Sequence, residues 1–235
     1  MPSRADVERF ADANRSIRAL VLAELERLWR GLNTQNADAV RDLLLEAVPL
    51  LVASYGDVAA TVAADFYDEV RDSSRAPGRF TAAPVTALDV EALAGQVRWA
   101  IGPLYSANPE PADALGRLSQ KVDEFTLQAG RDTIAHSAAK DPAKAHWARV
   151  PVGKTCAFCL TLASKGAAYR AEETAARKFH GKCDCTATPF WPDDPYPEGY
   201  NPDALLQQYQ DARAAADSGR PKAILSALRE QTGGH

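Results

Sequence analysis

Long apolar runs are missing from this chain. The longest, such as Ala47–Ala53, stop far short of the ~18 residues a membrane span requires and sit inside amphipathic patterns. An excess of charge is missing as well: the net charge of −4 is too small to argue for nucleic acid or for an acidic partner surface. Behind the charged start Met1–Arg9 there is no apolar segment of the kind a signal peptide carries, so the simplest expectation is a product made or assembled in the cytosol, with no membrane partner. Internal repeats and low-complexity tracts are lacking too. Cysteine and histidine are scarce, four of each, but all four cysteines fall within the 30 residues from Cys156 to Cys185.

Concentrated in this way, the cysteines become the most informative feature of the sequence. Cys156-Ala-Phe-Cys159 is followed by His180-Gly-Lys-Cys183-Asp-Cys185. Thiolate and imidazole are the donors Zn²⁺ prefers, and tetrahedral sites are commonly built from two short ligand pairs. In a reducing compartment this arrangement more often binds metal than forms disulfides; reduced structural thiols and redox chemistry are the competing readings. Cys156 and Cys159 suit one ion by spacing alone. Cys183 and Cys185 complete a four-cysteine set with His180 outside it, or His180 replaces one of them, so four of the five donors are expected to bind. Four protein ligands close the coordination sphere, which makes the expected zinc structural.

The rest of the chain reads as mainly α, α+β overall: an N-terminal helical bundle, a small metal-stabilised module containing β-structure, and terminal helices. Residues 1–140 form the helical region, 141–191 the Cys/His module, and 192–235 a Pro-rich loop with C-terminal helices. Ile17, Leu20, Val21, Leu25, Leu28 and Leu32 recur at helical spacing. Val40, Leu43, Leu44, Ala47, Val48 and Leu51 form a second stripe with Asp38 near its start, and Pro49 is expected to kink or end it. A third segment places Val58, Val62, Phe66 and Val70 on one face. Further helices are predicted from about Val85 to Ile101, from Leu115 to about His136, from Pro202 onward, and around Ile224–Leu228. Such stripes report core packing and carry no chemistry. Short strands are expected at Ala148–Val152 and Cys185–Phe190, and Lys165-Gly166 suits a turn.

Other motifs carry less. Gly153-Lys154-Thr155 imitates the end of a phosphate-binding loop, but Ala148 stands where that loop requires glycine. Trp147, Phe158, Tyr169, Phe179, Phe190 and Trp191 are the large side chains a small module needs for a core. Between residues 140 and 185 nine Lys and Arg face four Asp and Glu, a local +5 that leaves −9 for the remaining chain. No Ser/His/Asp arrangement stands out, and Ser137 beside His136 is only adjacency.

The segment Thr155–Tyr169 together with Phe179–Cys185 resembles the C-terminal motif of tailed-phage minor head proteins, the Mu F-like head morphogenesis group, especially its form in phages of actinobacteria. The resemblance covers Trp147–Trp191. Gly181 stands where many members have proline, which leaves the local turn less defined. The resemblance implies a virion component that joins the procapsid at the portal vertex and assists head assembly, DNA packaging or delivery. The portal protein is then the main partner, with scaffold, major capsid protein and packaged DNA as further candidates. The implied location is the capsid interior, and the host cytoplasm during assembly. By the same likeness, Cys156, Cys159, His180, Cys183 and Cys185 occupy the family's motif positions; no residue is assigned as catalytic. Two other classes compete: a capsid maturation protease, with Cys156 or Cys159 and His180 as nucleophile and base, and a zinc-dependent nucleic-acid-binding module using the basic 140–185 region.

Overall fold

A computed structural model describes residues 1–153, 155–169 and 185–232. The fold is mainly helical, with one small antiparallel sheet. Its elements run α1 (Arg4–Arg30), α2 (Ala37–Ser73), α3 (Val90–Ala100), a 3₁₀ turn (Gly102–Tyr105), α4 (Pro111–Lys140), β1 (His146–Pro151), α5 (Ala157–Ala163), β2 (Cys185–Phe190), α6 (Pro202–Ala215) and α7 (Pro221–Thr232).

Local chemistry sets most of these boundaries. Ser3 and Asp6 form a reciprocal capping box that starts α1, satisfying two backbone donors that have no partner inside the helix. Asn36, rather than Asp38, caps α2, while Asp89 caps α3 and Asn201 caps α6, with Pro202 at the first helical position.

Two expectations need correction. The second and third stripes belong to one helix of 37 residues, which passes through Pro49 without ending. Proline forfeits one backbone hydrogen bond, but α1, α3 and α4 all pack against α2 and hold it continuous. Secondly, α3 begins at Val90 and not near Val85. Ala82 N–H donates to Asp68 Oδ1 (2.9 Å) on α2, and Val85 N–H donates to Thr133 Oγ1 (2.9 Å) on α4. The preceding segment is thereby tied down as a non-helical strap across the two long helices.

Although no unbroken apolar run is long, α2 contains an 18-residue window of mean hydropathy 1.5, one-third buried, and by length and composition it could cross a membrane. One face of α2 packs against α1, α3 and α4, while Leu43, Leu50 and Val58 stay exposed. The α2–α4 crossing is close because the residues there are small: a Cβ at Gly130 would lie 2.9 Å from the Ala59 carbonyl oxygen.

Two cores result. The bundle core joins Val21, Leu25, Leu44, Val48, Leu93, Val97, Leu118 and Val122. The second forms where the ends of α2 and α4 meet the sheet, uniting Phe10, Tyr67, Val70, Ile134, Trp147 and Trp191. β1 and β2 pair antiparallel from His146 opposite Phe190 to Pro151 opposite Cys185. The sheet is covered on both sides, with Ala148, Val150 and Phe190 packing against Val7 and Ala11 of α1.

At the centre of this junction lies Asp141, just past the end of α4. Its carboxylate accepts from Arg71 Nε (2.9 Å), Tyr67 OH (3.1 Å), Trp191 Nε1 (3.1 Å) and Ala143 N–H (2.8 Å). Arg71 also donates to the carbonyls of Pro77 (2.8 Å) and Gly78 (3.2 Å). Burial opposes ionisation of Asp141, but the donors led by Arg71 outweigh it and hold the carboxyl below the ordinary carboxylate range.

A lowered folded-state pKa stabilises the fold above the unfolded value, about 3.9, and that stabilisation is lost as pH falls through the folded value. Asp141→Asn leaves the Arg71 guanidinium buried without its counter-charge, at an expected cost of about 3–5 kcal/mol. Urea denaturation at neutral pH should show this loss, and the variant should lose less additional stability than the wild type below about pH 4.

Candidate metal centre

Three of the five expected donors lie in the described residues, and the topology brings them to one end of the sheet. β1 ends at Pro151, opposite Cys185, the first residue of β2. From there the chain turns through Gly153, whose φ of +77° is costly for any residue with a Cβ. It reaches Cys156 five residues after Pro151. Cys156 is the N-cap residue of α5, half-buried and in extended conformation, and Cys159 is fully buried within the first turn. Cys159 and Cys185 belong to the apolar cluster built around Trp147, with Cys156, Phe158 and Tyr169 packed against it. His180 and Cys183 lie outside the described residues.

The scaffold around α5 is held by aromatic hydroxyls. Tyr169 OH donates to the Leu162 carbonyl (2.9 Å) and Tyr200 OH to that of Ala163 (2.7 Å), capping the last turn of α5. Tyr169 also exchanges two backbone hydrogen bonds with Trp147, and their rings lie 4.9 Å apart. Gly166, at φ +60°, makes the turn expected at Lys165-Gly166; a Cβ there would meet Tyr196 OH at 2.5 Å. α6 and α7 close the outer side of α5, through Ala212 and Leu228 against Ala157. Burial raises the Tyr169 phenol above its ordinary range, so it stays a neutral donor at physiological pH.

This donor set fits a soft metal ion. Sulfur donors from both halves of the motif belong to one apolar cluster, a surround that excludes competing water. Beside Cys156, the Thr155 hydroxyl is buried with no hydrogen-bond partner among the described residues. Such a donor next to a thiolate is what outer-shell support of a metal–sulfur bond uses. No group of three or more His, Cys, Asp or Glu already arranged as a coordination shell occurs among the described residues.

Sequence reading passed over two parts of this region. Asp141 reads as a mere boundary beside Pro142, because its partners Tyr67, Arg71 and Trp191 are 50 or more residues away. Arg149, fully buried in β1, carries no periodic signal because the strand is covered on both faces.

A protein-family profile described as VG15 protein matches residues 1–212. The chain belongs to the VG15 family. This is a family of phage proteins, and membership fits a structural or virion-associated protein in general terms. No curated protein and no solved structure matches the chain. The match to the VG15 profile runs through the helical bundle, the sheet and most of α6, so the bundle and the cysteine module are parts of one family unit.

The burial order of the thiols is testable. In metal-stripped folded protein, Cys156 should react with an alkylating reagent at least tenfold faster than Cys159 or Cys185, because reaction requires access. Site-resolved mass spectrometry at short labelling times reads this directly.

Proposed function

We propose that this VG15 protein is a minor head protein of the Mu F-like kind, which joins the procapsid at the portal vertex and assists assembly, packaging or delivery of DNA. The observation that carries the reading is the pairing, within a phage family, of a long helical bundle with a C-x-x-C and C-x-C motif of which Cys159 and Cys185 are buried. Cys156, Cys159, Cys183 and Cys185, with His180 as the exchangeable fifth donor, would hold one structural zinc. In this role the metal supplies cross-linking: it ties α5 to the start of β2 and offers no open position for substrate. The protein acts in the host cytoplasm during assembly and resides in the capsid interior thereafter.

The exposed surface suits an assembly partner. Leu43 and Leu50, seven residues apart on α2, are 40% and 68% exposed and give that helix an outward apolar face of the kind an interface buries. The protease reading asks for a nucleophile within reach of base and substrate. Against it, Cys159 and Cys185 are enclosed in the apolar cluster and Cys156 is half-buried.

Co-expression with the portal, scaffold and major capsid proteins encoded by the same phage tests this. The protein should co-purify with portal-containing procapsids in substoichiometric copies, and Leu50→Asp, on an exposed position, should reduce its incorporation at least tenfold without unfolding it. Scaffold should remain uncleaved whether or not Cys156 is replaced by alanine. Scaffold cleavage abolished by Cys156→Ala in a folded protein would favour the protease instead.

A further inference from the structure

A second site lies where α1 and α4 meet the start of β2, bordered by Phe10, Cys185 and Ala187 of the aromatic core. α1, α4 and the first three residues of β2 enclose a cleft of about 30 Å³, lined by Asn14, Arg15 and Arg18 from α1, Arg131 from α4, and Cys185 and Thr186 from β2. Among the described residues lining it there is no carboxylate: every charged side chain is an arginine. Asn14 and Arg18 are four residues apart and Arg15 and Arg18 three, so α1 presents them on one face. Arg131 is 8% exposed, and its Nη1 lies 3.5 Å from the Glu124 carbonyl oxygen. The α1 arginines pair with carboxylates that are not among the lining residues described: Asp12 beside Arg15, and buried Asp123 at 2.7 Å from Arg18 Nε.

We infer that this cleft binds a phosphate group. Three guanidiniums carry planar forks of donors suited to two oxygens at once, and a guanidinium engaged with a carboxylate along one edge can donate along another. The volume holds about two water-sized oxygens. That is the room needed by the two non-bridging oxygens of a phosphate entering from solvent, with the rest of the group left outside. Asn14 adds an amide donor. Two sources share this chemistry: a nucleic-acid backbone and free phosphate. The site adjoins Cys185 but does not require the metal, and it is independent of the portal reading.

Calorimetric titration of the full-length protein with inorganic phosphate at low ionic strength tests the site, alongside fluorescence anisotropy with a labelled oligonucleotide. Arg15→Gln lies at an exposed position and should keep the fold. It should weaken phosphate binding about tenfold, the effect of removing one charge-assisted contact. Asn14→Asp, which puts a carboxylate in the lining, should abolish binding, and Arg41→Gln on α2 should change nothing. If the backbone of a nucleic acid is the source, Arg15→Gln also weakens oligonucleotide binding, lowers its salt slope by about 1, and phosphate competes. If free phosphate is the source, only the phosphate titration responds. Absence of saturable phosphate binding, or equal binding by wild type, Arg15→Gln and Asn14→Asp, overturns the inference.

Discussion

The architecture depends on a buried charge and its donors. Asp141 stands where α4 ends and the chain turns toward the sheet, and its carboxylate gathers hydrogen bonds from α2, from the segment after α4 and from the residue that follows β2. An ionised carboxylate in such a place is tolerable only because the Arg71 guanidinium lies beside it and its lone pairs are filled. That requirement gives the junction its specificity: apolar contacts among Tyr67, Trp147 and Trp191 would permit many packings, whereas the hydrogen-bond set permits one. Arg71 extends the constraint to the turn at Pro77 and Gly78, so the strap that crosses the long helices is fixed from the same point.

With the sheet fixed against the bundle, the remaining geometry follows. The β1–β2 register sets Cys185 opposite Pro151, and the short turn after Pro151 returns the chain to Cys156. α5 is then secured from outside by Tyr169 and Tyr200. The fold thus places Cys156, Cys159 and Cys185 in or against one apolar cluster, and a metal bound there would cross-link α5 to the start of β2. The same sheet forms one wall of the arginine-lined cleft, so the proposed metal site and the proposed phosphate site share β2.

Much of this was legible in the sequence, for identifiable reasons. Ile17, Val21 and Leu25, or Leu118, Val122 and Phe125, announce helices because one face of each must be apolar. The two strands were legible as short β-like pieces between turn residues, at nearly the observed limits. What failed was local information overruled by tertiary contacts. Pro49 is a helix breaker in isolation, yet it sits within α2, which packs against three other helices. Val85 and Leu88 have helical spacing, yet Asp68 and Thr133 draw the backbone around Val85 into the strap. For the site, spacing singled out Cys156, Cys159, His180, Cys183 and Cys185 as candidate donors, and of these the described residues place Cys156, Cys159 and Cys185 in or against one apolar cluster. The Asp141 network could not be read, because hydrogen bonds between residues 50 to 74 positions apart leave no periodic trace.

The central claim is that the cysteine module is a closed, architectural metal centre and carries no catalysis. Native mass spectrometry of the intact protein, purified under reducing conditions, tests it most directly. The mass should correspond to one zinc ion per chain, retained through buffer exchange and lost in Cys156→Ala with Cys159→Ala. A fully folded wild-type chain with no bound metal would contradict it.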